Sequence, residues 1–191
     1  AKNRMPVYDE IAHIPLMIYH PDFASEGGSR RKALTQTTDL MPTLLDVAGL
    51  AIPPDVTGHS LMPVLGGEDG KRDSVIFGYF GAAVNVFDGR YSYFRYPAVS
   101  GAKSLHEYTL MPTRMTTRFS IRDLLGATLH PSFSFTKGVP VLKLDPKTDD
   151  EGQPVEVQGM GFEDWQSALY DLETDPGQTP PVKNPEIETH L

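Results

Sequence analysis

Apolar positions along this chain follow two different rhythms, and the change between them falls near Ser74. Before it, residues 14–19 (I-P-L-M-I-Y) form a short, nearly continuous apolar run closed by His20-Pro21-Asp22. Such a run predicts a strand covered on both faces. Residues 26–32 are polar, basic and glycine-containing, as a surface loop would be. A helix is expected next. Asp39 stands as its N-cap, Pro42 at its third position, and Leu40, Leu44, Leu45, Val47 and Ala48 repeat on one face. Gly49 suits the left-handed residue that ends a helix, and Pro53-Pro54 prevents its resumption. A second short helix is expected within residues 55–66, ended by Gly66-Gly67.

After Ser74 the period is that of strands. Residues 74–80, 83–87 and 90–96 are rich in β-branched and aromatic side chains, and the last two runs flank Asp88-Gly89. That arrangement predicts an antiparallel hairpin turning at Asp88-Gly89, with one aromatic face buried. Farther on, residues 119–129 suit a helix capped by Ser120, with Ile121, Leu124 and Leu125 on its inner side. Residues 139–144 suit an edge strand, where Pro140 is tolerated, and residues 167–172 a short strand followed by a turn at Asp175-Pro176-Gly177. The tail from Thr179 is rich in proline and acidic residues, and is expected to fray unless docked.

Composition narrows the functional classes. The 191 residues carry a formal net charge of −8, which argues against nucleic acid and against an anionic membrane surface as partners. There is no cysteine, which excludes disulfides and any cysteine nucleophile or ligand. No apolar run approaches the length of about 18 residues that a spanning helix needs. No leader segment is visible; a soluble protein is expected, its compartment left open.

Three stretches carry a family resemblance. These are K-N-R-M-P-V-Y-D-E-I-A-H-I-P-L at residues 2–16, T-D-L-M-P-T-L-L-D-V-A-G-L-A-I-P followed by G-H-S-L-M-P-V-L-G-G, and S-A-L-Y-D-L-E-T-D-P-G-Q-T at residues 167–179. In this order they resemble the sulfatase family of the alkaline phosphatase superfamily, whose C-terminal signature reads LYDL…DP.E. The resemblance implies an α/β fold, α+β in this piece taken alone. Residues 1–73 would close a sulfatase-like α/β domain, and residues 74–191 would be a small antiparallel sheet with one or two helices. It also implies a C-terminal fragment of a sulfate-ester hydrolase. The family nucleophile, a formylglycine within C/S-x-P-x-R, has no counterpart here, nor do the family's calcium ligands. No cofactor is expected in this chain, while calcium and formylglycine are implied for the parent. A sulfate-ester small molecule or a sulfated carbohydrate is the implied substrate, with oligomeric state open. A phosphonate or phosphodiester hydrolase of the same superfamily, and a noncatalytic sugar-binding or oligomerisation module, are the alternatives.

By the same resemblance Lys2 matches a lysine that contacts the sulfate group, a task that suits a compact ammonium. The bland reading is a solvated lysine. His13 falls where the family places arginine or histidine just before its strand. It is a candidate for the substrate side, against a packed structural histidine. The loop at residues 131–138, with Lys137 as its candidate substrate contact, and the segment at residues 108–112 are aromatic, irregular and placed to confer specificity; packing is their plainer role. Tyr79, Tyr91, Tyr93 and Tyr96 suit the sheet core, with a sugar-stacking platform as the sharper alternative. Arg30-Arg31-Lys32 reads as a solvated loop. The histidines lack metal-ligand spacing, and residues 145–152 lack the spacing of a calcium loop.

Overall fold

The computed structural model describes residues 7–78, 83–96, 106–111, 113, 117–146 and 166–191. Its contacts form two compact units, Ala1–Tyr96 with Ser167–Leu191, and Pro97–Gln166. The architecture is α+β with antiparallel sheets. The division between units does not fall at Ser74, because the strand at residues 168–171 returns to complete the sheet begun at residue 75.

In the first unit, helices α1 (Asp9–Ala12), α2 (Leu40–Val47) and α3 (Met62–Leu65) precede a four-stranded sheet. Its strands are β1 (Val75–Gly78), β2 (Val84–Phe87), β3 (Tyr91–Arg95) and β7 (Ala168–Asp171), in the order β1-β2-β3-β7. The second unit holds β4 (Glu107–Thr109), helix α4 (Ile121–Leu125), β5 (Thr128–His130) and β6 (Val141–Leu144), with the sheet order β4-β6-β5. Helix α5 (Pro185–His190) closes the chain, with the Asn184 side chain accepting from the Ile187 amide. The tail docks rather than frays: the Val182 amide donates to the Leu169 carbonyl at 2.8 Å, alongside β7.

The predicted hairpin is present, but its turn is displaced by one residue. Phe87 pairs with Ser92, and the Asp88 amide donates to the Tyr91 carbonyl, so Gly89 and Arg90 are the two loop residues. The Asp88 carboxylate accepts from the amides of Arg90 and Tyr91, and this side-chain closure draws Asp88 into the flank of the turn. Gly89 sits at φ +101°, with open space where a Cβ would lie. Gly89→Val is therefore expected to cost about 1 kcal/mol or more in unfolding free energy, from backbone strain alone; a denaturant titration with an unchanged midpoint would contradict it.

Several sequence expectations are corrected. Residues 14–19 form no ladder with any described strand, and their side chains are open to solvent, Met17 at 90% and Tyr19 at 81%. A strand exists only when its backbone groups find partners, and the described residues offer none there. The apolar face of α2 is likewise exposed, Leu44 at 70%, and the helix buries Asp39, Pro42 and Thr43 instead. On β3 the deeply buried side chains are Ser92 and Phe94; Tyr91 and Tyr93 are only half-buried. Strand β6 is the centre of its sheet and not an edge, since Pro140 lies just before the ladder begins. Helix α4 stops at Leu125, and residues 128–130 turn into β5. Ser120 caps α4 as expected, with Asp123 completing the reciprocal pair, but Ile121 and Leu125 face solvent.

Candidate functional site

The motif T-D-L-M-P-T folds around one buried carboxylate. A single turn of 3-10 helix at Thr37–Asp39 precedes α2, so Asp39 is the third residue of a longer helical run and not its cap. Gln36 is the cap residue, and its amide donates to Asp39 Oδ2 at 2.8 Å. Asp39 Oδ1 accepts from the His59 amide at 2.8 Å, and the Arg72 guanidinium grips both oxygens through Nη2 at 2.5 Å and Nε at 3.3 Å. Burial alone would push the Asp39 carboxyl up. The Arg72 hydrogen bond and the Gln36 and His59 amides outweigh burial, and hold the carboxyl below the usual carboxylate range.

One turn on, Thr43 donates to the Asp39 carbonyl at 2.6 Å and accepts from the Leu61 amide at 2.9 Å. Ser60 donates to Asp46 Oδ2 at 2.5 Å. These contacts explain the second motif, G-H-S-L-M-P: its backbone lies along the polar edge of α2. Pro42 has no N–H to give the Thr38 carbonyl, and Gly58 packs against that carbonyl so closely that any Cβ would strike its oxygen. Arg31 donates to the carbonyls of Val64 and Leu65 at 3.0 and 3.2 Å, which ties the basic loop to the C-terminal end of α3.

Lys2 lies outside the described residues, but the chain behind it is gripped from Val7 onward. The Val7 carbonyl accepts from Asn85 Nδ2 of β2 at 3.1 Å. The Tyr8 ring packs against Phe94 of β3 at 5.7 Å and Tyr170 of β7 at 6.1 Å. The Asp9 amide donates to Gln178 Oε1 at 2.6 Å. Two of these anchors, Tyr170 and Gln178, belong to the C-terminal motif L-Y-D-L-E-T-D-P-G-Q-T.

That motif is built to hold them. Leu169 is buried at 1% exposure, and Asp171 forms a two-point pair with Arg90 at 3.1 and 2.7 Å. The Arg90 hydrogen bond holds the Asp171 carboxyl below its usual range, and the same contact raises Arg90. The turn at Asp175, whose carboxylate accepts from the Thr179 amide at 2.6 Å, carries Gln178 into a buried left-handed conformation, φ +51°. Burial pushes the hydroxyls of Tyr170 and Tyr96 up, Tyr96 to about 12, with the neighbouring tyrosines adding to the effect. The clamp on the chain behind Lys2 is the feature that local sequence reading missed. The motif itself was visible; its partner lies 169 residues away.

The other two candidates are placed as follows. His13 ends α1 with its side chain 76% exposed, and its Nδ1 lies 3.3 Å from Asp9 Oδ2. Within this unit its ring is open to solvent rather than packed. Lys137 belongs to the second unit. It stands in the left-handed conformation at φ +53°, just after a 3-10 turn at Ser134–Thr136. Among the described residues, no three histidine, aspartate or glutamate side chains converge as metal ligands would.

Comparison with known proteins agrees with this geometry. Residues 2–111 match the family model described as N-sulphoglucosamine sulphohydrolase, C-terminal. The chain is 37% identical over 71 residues to arylsulfatase K of Xenopus laevis, covering 37% of this chain and 13% of that protein. It is 37% identical over 97 residues to the N-acetylglucosamine-6-O-sulfatase of Bacteroides thetaiotaomicron, covering 51% and 15%. It is 41% identical over 66 residues to that organism's Delta 4,5-hexuronate-2-O-sulfatase, covering 34% and 14%. The matches thus span about a seventh of these relatives' length, between 13% and 15%. The matched stretch takes in the Asp39 network and the gripped segment behind Lys2, and the chain belongs to the N-sulphoglucosamine sulphohydrolase C-terminal family.

Proposed function

We propose that this chain is the C-terminal portion of a sulfuric ester hydrolase whose substrates are sulfated carbohydrates. The observation that carries the proposal is the clamp: one unit joins the family-matched segment behind Lys2 to the family's C-terminal signature through Tyr8, Tyr170, Asp9 and Gln178. In that role Lys2 pairs with a nonbridging sulfate oxygen and with the charge that develops on the leaving group. The names of two bacterial relatives, which act on sulfated sugars, support the substrate class.

Formylglycine and calcium do not fit the residues present. The chain has no cysteine and no C/S-x-P-x-R sequence, and the described residues converge no ligand set. Both groups therefore belong, in this proposal, to a preceding part of the same protein. The exposed apolar side chains of residues 14–19 and of α2 support that arrangement. Ile14, Leu16, Met17, Leu44 and Val47 are all open to solvent, and clustered exposed apolar side chains are the mark of an interaction face.

The test is sulfate release from N-acetylglucosamine-6-sulfate, followed by ion chromatography. A protein that carries a C/S-x-P-x-R segment ahead of this chain is expected to release sulfate, and the 191-residue chain alone to release none. Turnover by the chain alone, or faster cleavage of a phosphodiester by the longer protein, would overturn the proposal.

A further inference from the structure

We propose that the second unit presents a carbohydrate-stacking platform on one face of its three-stranded sheet, with Phe135 as the stacking ring and Lys143 as the contact for a sulfate group. The identity of the ligand rests on the sulfated-carbohydrate reading above; the platform itself rests on geometry.

The register sets the face. Tyr108, Lys143 and Thr128 lie on one rung across β4, β6 and β5, and His130 with Val141 lies on a neighbouring rung. Side chains two residues apart on a strand share a face, so Tyr108, Lys143, Thr128 and His130 point the same way. The ring contacts agree: Tyr108 meets His130 edge-on at 5.2 Å. The loop after β5 extends this cluster outward. Phe133 stacks on His130 at 5.1 Å and meets Tyr108 edge-on at 5.3 Å. Phe135 then lies over Phe133 at 5.3 Å, the two planes only 10° apart.

Phe135 is 74% exposed, and its ring rests on Phe133 alone among the ring contacts of the described residues. Buried Thr136 locks the loop by donating to the carbonyl of Phe133 or Val139, at 3.0 and 2.9 Å. The backbone reverses immediately afterward through Lys137 and Gly138, both at positive φ. A ring that is fixed in direction and left open loses little entropy on binding.

The polar groups on the same face select a sugar over a purely apolar partner. The Nδ1–H of His130 donates to the Pro131 carbonyl at 2.8 Å, which leaves the Nε2 edge of the ring to meet a hydroxyl. Thr128 is exposed beside it. Lys143 has no ion-pair partner among the described residues, and it puts a cation on a protein whose net charge is −8. Aromatic surface with a few convergent polar groups is the ordinary make-up of a small-molecule site. A pyranose offers one apolar face for the ring, hydroxyls at its rim and, when sulfated, an anion for the lysine.

Saturation-transfer NMR on the full chain tests this, with N-acetylglucosamine and N-acetylglucosamine-6-sulfate as probes. Both are expected to bind, the sulfated sugar more tightly by up to about fivefold, the scale of one exposed ion pair. Phe135→Ala should weaken both by about tenfold or more, as loss of a stacking ring does, while Phe135→Tyr retains binding. Lys143→Gln should abolish the preference for the sulfated sugar and leave the other unchanged. An unchanged two-dimensional amide spectrum outside the loop confirms that each variant folds. Equal binding by wild type and Phe135→Ala, or binding of neither sugar, would overturn the platform. Binding that follows this pattern in a longer protein that releases no sulfate would overturn the sulfatase reading and leave the platform standing.

Discussion

Asp39→Ala is expected to lower the unfolding free energy by about 3–5 kcal/mol, the range seen when one partner of a buried ion pair is removed. Asp39 is 1% exposed and the Arg72 side chain 15%, so the guanidinium left behind is poorly hydrated. The same truncation strips the Gln36 and His59 amides of their acceptor. Two of the four donor contacts come from Arg72, and the other two fix the start of α2 and the loop at residues 57–61. Loss of the carboxylate therefore releases three chain segments together. Urea denaturation of the two proteins measures the effect. Leu44→Ala, on the exposed side of α2, is the control and should change stability by about 0.5 kcal/mol or less. A loss below about 1 kcal/mol for Asp39→Ala would show that Asp39 is not the centre of this network. The pH dependence follows from the direction of the shift. Because the folded carboxyl is held below its usual value, its contribution is fully present above the ordinary aspartate pKa of about 3.9 and is lost as pH falls through the depressed folded value. Wild type and variant should thus differ by a constant amount near neutrality and converge in acid.

The network also shows where a sequence stops being legible. That residues 40–48 would be helical, that Gly49 would end the helix and that Pro53-Pro54 would keep it ended are local facts, each set by one or two residues; the extra turn at Thr37–Asp39 was not foreseen. Which side of α2 is buried is not local. Apolar spacing pointed to Leu40, Leu44 and Val47, whereas the structure buries Asp39 and Thr43, because both are needed by amides at positions 59 and 61. Polar residues one turn apart within an apolar pattern were the available signal. Residues 14–19 err in the same direction. Their composition states that they are to be buried, but a strand also needs a neighbouring backbone, and the described residues supply none.

The hairpin was legible because an Asp-Gly pair between two aromatic runs constrains the backbone whatever lies around it. Its one-residue displacement was not, since it depends on the Asp88 side chain closing the turn. The central position of β6 was hidden for a related reason. Pro140 forbids a ladder partner only at its own position, and the ladder begins one residue later. As for the candidate site, the motifs pointed to Lys2 and to the signature at residues 167–179, without giving the contact between the segment behind Lys2 and that signature. A hydrogen bond from Asp9 to Gln178 leaves no trace in periodicity or composition.

That contact bears on the largest expected effect on catalysis. In a protein that carries the preceding nucleophile segment, Lys2→Ala should reduce kcat about 10²-fold or more, the scale of removing one positioned electrostatic group. Sulfate transfer places negative charge on nonbridging oxygens and on the departing oxygen, and an ammonium stabilises that charge only if it is kept in place. Lys2 lies five residues before Val7, a reach of no more than about 18 Å of extended chain. From Val7 on, the backbone is fixed by Asn85, Phe94, Tyr170 and Gln178. Lys2→Arg should not restore full activity, because a planar fork does not reproduce a compact point charge. Thermal stability is expected to change by about 0.5 kcal/mol or less in both variants. Gln178→Ala supplies the complementary arm. It frees the Asp9 amide without touching Lys2, and should lower kcat while leaving the nucleophile's own chemistry intact. Steady-state kinetics on N-acetylglucosamine-6-sulfate separates the outcomes. A kcat for Lys2→Ala equal to wild type would return Lys2 to the solvated surface, and the clamp behind it would then serve stability alone.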